Sequence, residues 1–498
     1  MKKKKFIYVF IFIYFILFLT LSVLKHESFN STGFDLGEYE QQIWGLSKGK
    51  LIFDTVQGTW VFGDHFDIIL LLIVPFYWIY SSPITLLVIQ TMAISLGALG
   101  VYLISKLKLK NEAASLILSI AYLLNPSVHY INLFDFHPIA FAIPFILFAF
   151  YFMEKGDYKK SVFFLILLAM TKEHLPLYLT TFGVYLFLSH KKRKLGLTLA
   201  ITGILWFVTA IWIMPYVFSK GAHGFLYFQR YFGQILFKIT LVILLFAPVL
   251  FLSFLSPTIL AVGIIEFGIL LTTSPRPYTE IVYHHQASIL PLIFIATIYS
   301  IPLAYKLLKS TFKKIRLIKN STKDHIIIVI SSLVLISTII CYIAYGPFTI
   351  LYDLNEFKTN TDYVKTGNEF VDMIPKDASV STNNWVIPHL SQRYEIYKFP
   401  KPLYEIYFNL EYSKPEYVLL DMGDALTDPK RVGNKIKDIN FNLMFNDNEY
   451  GIIKAEGTWI LLKKGAEHNE NICKIKPFLN KEEYPYLSIT INETGGKY

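Results

Sequence analysis

Residues Ser161–Ser189 read SVFFLILLAMTKEHLPLYLTTFGVYLFLS, and whether they form one helix or two sets the sidedness of every segment that follows. A single helix of roughly 29 residues would rise about 43 Å, against a hydrocarbon core of about 30 Å. It would also hold Lys172, Glu173 and His174 at mid-length and deliver Lys191–Lys194 to the outer face. Basic loops favour the cytoplasm. Two short helices meeting at Lys172–Pro176 satisfy both demands, so two are expected.

The rest of the apolar pattern fits around that hairpin. The N-terminal MKKKK leads into FIYVFIFIYFILFLTLSVL, an apolar run of about 19 residues with no small-x-small cleavage site behind it. It reads as an uncleaved first span with a cytoplasmic N-terminus. Phe66–Tyr80 dips into the outer face, and Ile84–Ile104 crosses to Lys106, Lys108 and Lys110. Ala113–Leu124 returns outward, Asn125–Pro138 forms an outer loop, and Ile139–Met153 leads back to Lys155. Beyond the hairpin, Leu195–Phe218 crosses outward, and Ile239–Leu255 and Thr258–Leu271 make a second hairpin about Ser256–Pro257. Ala287–Leu308 then runs to the most basic loop, Lys309–Lys323, and Ile326–Tyr345 exits. The expectation is about 11 spans within residues 1–347.

Composition agrees with this class. Hydrophobic residues make up 54% of 498, with 42 Phe and 33 Tyr, and the mean hydropathy is +0.44. A net charge of +10 would point to nucleic acid in a soluble chain. Here the cations sit in short loops between apolar runs, which is the pattern of cytoplasmic loops, so no nucleic-acid partner is expected. Cys341 lies in an apolar run and Cys473 near the C-terminus, which argues against a disulfide between them.

After Gly346–Pro347 the apolar runs shorten to strand length, as in ASVST, YEIY, YVLLD, YGIIKA and TWILLKK. Residues 348–498 therefore read as a soluble α/β domain, placed outside the cell by the span count. Asp421, closing YVLLD, reads as a turn-forming cap.

Ionisable residues at span ends are where chemistry concentrates in such proteins. The outer face collects Asp35, Asp64, His65, Asp67, Asp135, His137, Lys172, Glu173, His174, His223, Arg230, Arg276, Glu280, His284 and His285. His65 and His137, each beside carboxylates, have ligand types suited to a divalent metal. Glu266 stands alone in VGIIEFGILL, near the expected bilayer centre. In the first loop, Ser31–Lys50 (STGFDLGEYEQQIWGLSKGK), Tyr39, Ile43 and Leu46 share one face of a surface-lying helix. Its carboxylates Glu38 and Glu40 are expected to be solvated, whereas Asp35, nearest the first span, faces the bilayer edge.

FDLGEYEQQIWGLSKG (34–49), GDHF (63–66), NPSVHYINLFDFHPIAFAIP (125–144), TKEHLPLY (171–178), IPKDASVSTNNWVIPHLSQR (374–393) and YVLLD (417–421) resemble, in this order, the motifs of an uncharacterised family of prokaryotic predicted membrane proteins. That family resembles the GT-C glycosyltransferases. The resemblance implies a multispanning enzyme with an essential acidic residue in its first outer loop and a polyprenyl-phosphate sugar as donor. Asp35 takes the acidic position, although Leu36 stands where an Asp–Glu pair would have its second acid.

The expectation is thus an α-helical polytopic protein of the plasma membrane, GT-C-like, with a C-terminal extracytoplasmic α/β domain. It would transfer a lipid-linked sugar to an acceptor at the outer face. Asp35 is the candidate catalytic base. Lys172, Glu173, Arg230, Arg276, His284 and His285 are the candidates for substrate and phosphate, and His65 with His137 for a metal. A transporter or lipid flippase is the rival, resting on Glu266 and the broken hairpin. A non-catalytic scaffold is the third reading.

Overall fold

A computed structural model describes residues 4–219, 235–273, 280–311, 322–400, 414–422, 449–469 and 471. The chain is mostly helical and divides into two units, one of residues 1–23 and 60–355, the other of residues 24–59 and 356–498.

Among the described residues, five helices are long and apolar enough to cross a membrane: Phe6–Glu27, Pro83–Leu109, Arg193–Phe218, His285–Thr311 and Lys323–Ile350. Shorter apolar helices include Leu70–Ile79, Pro138–Glu154, Leu177–Ser189, Ile235–Val249 and Pro257–Thr272. Their outward faces are bare hydrocarbon, as at Leu205 and Trp212, 62% and 59% exposed. Such surface is stable against lipid and not against water.

Ser161–Ser189 is broken where its charge falls. One helix covers Tyr158–Ala169, the next begins at Leu177, and Thr171–Pro176 turns between them. The second leg pairs closely with Arg193–Val208. A Cβ on Gly183 would stand 2.5 Å from the Gly196 carbonyl oxygen, and one on Gly196 equally close to that of Gly183. The missing side chains let the two backbones touch, the usual way apolar helices gain contact inside a membrane.

The expected outer loop Asn125–Pro138 is instead largely helical. Pro126–Leu133 is a helix with all eight residues buried, set at 45° to Glu112–Leu123. Pro126 has no N–H for the preceding turn, and the Asn125 side chain accepts from Ser127 N, so the chain bends and restarts. Some of its polar atoms find partners inside the protein. Asn132 Nδ2 donates to Ser22 Oγ and Thr91 Oγ1, both at 3.2 Å, and His129 Nε2 lies 2.6 Å from the Leu123 carbonyl oxygen.

The second unit is built on a five-stranded sheet. β1 (Val380–Thr382) runs parallel to β2 (Ile396–Lys398) and β3 (Tyr417–Asp421). β5 (Trp459–Lys464) is antiparallel to β3 and to β4 (Tyr450–Glu456), giving the order β2-β1-β3-β5-β4. Alternation along the strands splits the core. Val380, Leu419, Trp459 and Leu461 pack with Val364, Phe370 and Ile374, while Val418, Leu420, Ile452, Ile460 and Leu462 form the other layer.

The first loop belongs to this unit rather than to the membrane half. Gln41 Nε2 donates to the Arg393 carbonyl oxygen at 3.1 Å. Thr55 Oγ1 donates to the Ile396 carbonyl oxygen at 2.6 Å and accepts from Ile396 N at 3.0 Å. β2 is an edge strand, so its backbone groups need such partners, and residues 24–59 supply them.

Candidate functional site

In the first unit, acids and imidazoles alternate along one line. Asp64 Oδ2 lies 3.6 Å from His65 Nε2, and His65 Nδ1 lies 3.3 Å from Glu173 Oε2. Glu173 Oε1 stands 3.9 Å from His174 Nδ1, and His174 Nε2 lies 3.3 Å from Glu266 Oε2. The Ser288 hydroxyl donates to that same Glu266 oxygen at 2.9 Å, and the Tyr178 hydroxyl donates to the Ser288 carbonyl at 2.8 Å. These groups come from a loop, an interhelical turn, the first turn of Ile264–Thr272 and the start of a long helix. Charges so deep persist only when they compensate one another.

Their titration follows from this arrangement. Burial, then Lys172, works against a charge on His65, but Asp64 and Glu173 outweigh both and raise its pKa. Burial also opposes a charge on His174, yet Glu266 and Glu173 lift it to about 10. Burial would push Glu173 up, but His65, His174 and Lys172 hold it well below the usual carboxylate range. The middle of the line is therefore a carboxylate whose ionised form is favoured, between two rings whose charged forms are favoured.

A second group of rings stands beside it. His137 and His284 stack at 3.5 Å between centroids, His285 is 4.3 Å from His284, and Phe134 covers both His137 and His284. Gln90 fixes the FDFHP turn, its Oε1 accepting from His137 N at 2.7 Å and its Nε2 donating to the Asp135 carbonyl oxygen at 2.6 Å. Asp135 there adopts φ +94°, a conformation that costs a non-glycine residue energy and recurs at functional sites. Burial holds His284 well below the ordinary imidazole range, and His137, His285, Lys172 and His65 add to the effect. Lys172 itself is buried.

In the second unit, Gly33–Gly37 forms a single π-helical turn that runs into the helix Glu38–Ser47. A Cβ at either glycine would meet Ile387 at 2.6–2.7 Å, so this turn sits directly against that side chain. Asp35 lies in the turn and accepts a hydrogen bond from the Thr32 hydroxyl. Of the three acids in the motif it alone keeps partial solvent access, since Glu38 and Glu40 are 5% and 0% exposed. The expected solvated face is thus wrong for those two. Glu38 accepts from Gln42 Nε2, which also donates to Asp54 at 2.7 Å, and Glu40 is held by Ser391 and Gln392.

Of the residues singled out in the sequence, His65, His137, Lys172, Glu173, His284 and His285 lie in the first unit's cluster. Asp35 lies in the second unit, while Arg230, Arg276 and His223 fall outside the described residues. Among the described residues, no three or more His, Cys, Asp or Glu are arranged to hold a metal ion. His65 faces Asp64 and Glu173, and His137 faces His284. Glu266 was not recognised as part of the cluster from sequence. Its one signal there was that a lone acid in an apolar helix needs a partner.

Residues 25–458 match the family model described as a predicted membrane protein, DUF2079. The chain belongs to the DUF2079 family. Among curated proteins none matches this DUF2079 chain in sequence. In fold it is similar to ArnT from Cupriavidus metallidurans, in crystal structures bound to undecaprenyl phosphate and in the apo state. Both give a TM-score of 0.52 at 11% identity, covering 90% of this chain and 97% of ArnT.

Proposed function

We propose that this DUF2079 chain is a membrane glycosyltransferase of the GT-C kind, moving a sugar from a polyprenyl-phosphate donor to an acceptor at the outer face. The observation that carries the reading is the likeness in fold to ArnT, a protein crystallised with undecaprenyl phosphate, over 90% of the chain. The family resemblance and the accessible carboxylate of Asp35 support it.

In this reading the acceptor oxygen attacks the anomeric carbon while the bond from that carbon to the phosphate oxygen breaks. Asp35 takes the acceptor proton, and a single displacement inverts the anomeric centre. The lipid phosphate leaves with the electron pair. Lys172 and the His137–His284–His285 group meet its charge, with Arg230 and Arg276 as further candidates. Buried donors are effective here because little water competes with them. About 11 spans, a cytoplasmic N-terminus and an extracytoplasmic C-terminal unit belong to the same proposal.

The test is to reconstitute the wild-type protein in nanodiscs with a panel of radiolabelled polyprenyl-phosphate sugars and extracted envelope acceptors. Release of polyprenyl phosphate matched by label in the acceptor is expected. A panel left wholly unconsumed would overturn the reading.

A further inference from the structure

We infer that the carboxyl end of the second unit's sheet, beside the Gly33–Gly37 turn, is a carbohydrate subsite. Trp385, Asn384 and Lys398 seat the acceptor sugar there and present one of its hydroxyls to Asp35. This rests on the glycosyltransferase reading above and names its acceptor as a glycan.

Topology marks the place. β1 has a parallel neighbour on each side, and the chain goes from β1 to β2 on one side and from β3 toward β4 on the other. Adjacent strands whose onward connections diverge in this way leave a crevice at their carboxyl ends, where open α/β sheets bind ligands. STNNW (381–385) leads out of β1 at that end, while Lys398 closes β2 and Asp421 closes β3. The Gly33–Gly37 turn lies on the same edge. Besides meeting Ile387, a Cβ on Gly33 would stand 3.0 Å from the Asn384 carbonyl oxygen, and Lys398 Nζ is 4.1 Å from the Phe34 ring centroid. Phe34, Asp35, Asn384, Trp385 and Lys398 are all half-buried, so segments about 350 residues apart meet with each residue keeping some exposed surface.

The chemistry of this edge selects the ligand. Trp385 Nε1 donates to Asp421 Oδ2 at 3.1 Å, an oxygen that also accepts from the Tyr363 hydroxyl at 2.8 Å, and Asn383 Oδ1 accepts from Asp421 N at 2.7 Å. With its N–H so tied, the indole has its ring faces to offer a ligand. It and Phe34 are rings packed partly buried at the rim of the layer that holds Val380 and Leu419. Such faces suit the C–H surface of a sugar ring. Asn384 Oδ1 is buried without a hydrogen-bond partner, a deficit that a ligand donor would remove. A hydroxyl serves either end of that amide, because it both donates and accepts. The carboxylates of Asp35 and Asp421 disfavour an anion such as phosphate on this edge, and Lys398 disfavours an amine. A neutral ring bearing several hydroxyls meets all of these conditions.

The test uses full-length protein in nanodiscs without donor. The probes are the methyl glycosides of glucose, galactose, mannose and N-acetylglucosamine, read by saturation-transfer difference NMR. At least one glycoside is expected to bind, with transfer strongest at its ring C–H protons and no competition from inorganic phosphate or ethanolamine. Asn384→Val removes a carbonyl that has no partner, so it should leave the thermal midpoint unchanged or raise it, yet weaken the glycoside by about tenfold. Trp385→Phe keeps a ring and should bind nearly as wild type, whereas Trp385→Leu should lose about tenfold. In the transfer assay, Asn384→Val should raise the acceptor KM by a similar factor and leave the donor KM unchanged. No glycoside binding in the wild type, competition by phosphate or ethanolamine, or an affinity unmoved in both Asn384→Val and Trp385→Leu would overturn the subsite. Sugar transfer observed alongside any of those results would leave the glycosyltransferase reading intact. Glycoside binding that those variants weaken, with no transfer by the wild type, would instead keep the subsite and remove that reading.

Discussion

Glu40 provides a measurable test of how the first loop is held. Burial raises its pKa from 4.5 to about 8, with the hydrogen bond from Gln392 working the other way. Ser391 Oγ donates to one Glu40 oxygen and lies 3.2 Å from the Pro388 carbonyl oxygen, while Gln392 Nε2 donates to the other Glu40 oxygen at 2.7 Å. Between pH 4.5 and 8 the folded loop thus holds a proton that the unfolded chain releases. Stability is fullest below pH 4.5 as far as this group is concerned, and falls as pH rises, by up to about 1.4 kcal/mol per pH unit. By pH 7 the loss is about 3 kcal/mol relative to acid, and it levels off above pH 8. Glu40→Gln puts a neutral group of the same size there that still accepts from Gln392, so it should remove this dependence and protect the loop at pH 7. The assay is hydrogen exchange of the Glu38–Ser47 amides in full-length protein from pH 5 to 8, corrected for intrinsic exchange, which reads local opening without assuming two-state unfolding. Protection that does not fall with pH in the wild type, or Glu40→Gln that lowers protection at pH 7, would refute the reasoning.

Other changes probe separate parts of the account. Gly183→Val pushes a side chain into the Gly196 and Ala200 backbone and should destabilise the protein by about 1–3 kcal/mol, lowering the thermal midpoint in detergent. Gly268→Ala meets nothing within 4 Å in its helix and should be neutral or stabilising by up to about 1 kcal/mol in the same assay. Thr55→Val keeps the shape but leaves the buried Ile396 N–H and C=O without that hydroxyl, at about 1–3 kcal/mol, which should appear as faster exchange of the β2 amides.

These contrasts show what the sequence made legible. The break in Ser161–Ser189 could be read because charge and Pro176 interrupt an apolar run, and YVLLD because a short apolar run bounded by polar residues makes a strand, all five residues of which are buried. Asp421, expected as a turn cap, instead accepts from the Tyr363 hydroxyl at 2.8 Å and from Trp385 Nε1 at 3.1 Å. Pro126–Leu133 was hidden because eight residues are too few for a span and its polar residues look like a loop. The attachment of residues 24–59 to the sheet was equally hidden, since Gln41 and Thr55 bind backbone atoms some 340 to 350 residues away, which no periodicity records. The candidate site divides the same way. The residue types were visible one by one, but the partnership of Glu266 with His174 and Ser288 arises only when three distant segments meet.

The central claim is that the protein transfers sugar from a lipid phosphate with Asp35 as base, and Asp35→Asn tests it most directly. Asn keeps the size and can still accept from Thr32, but it cannot take a proton. Transfer from a radiolabelled polyprenyl-phosphate sugar, measured beside wild type with hydrogen exchange confirming an unchanged fold, should drop by about 10²- to 10⁴-fold. Turnover close to wild type in a folded Asp35→Asn protein would contradict the account.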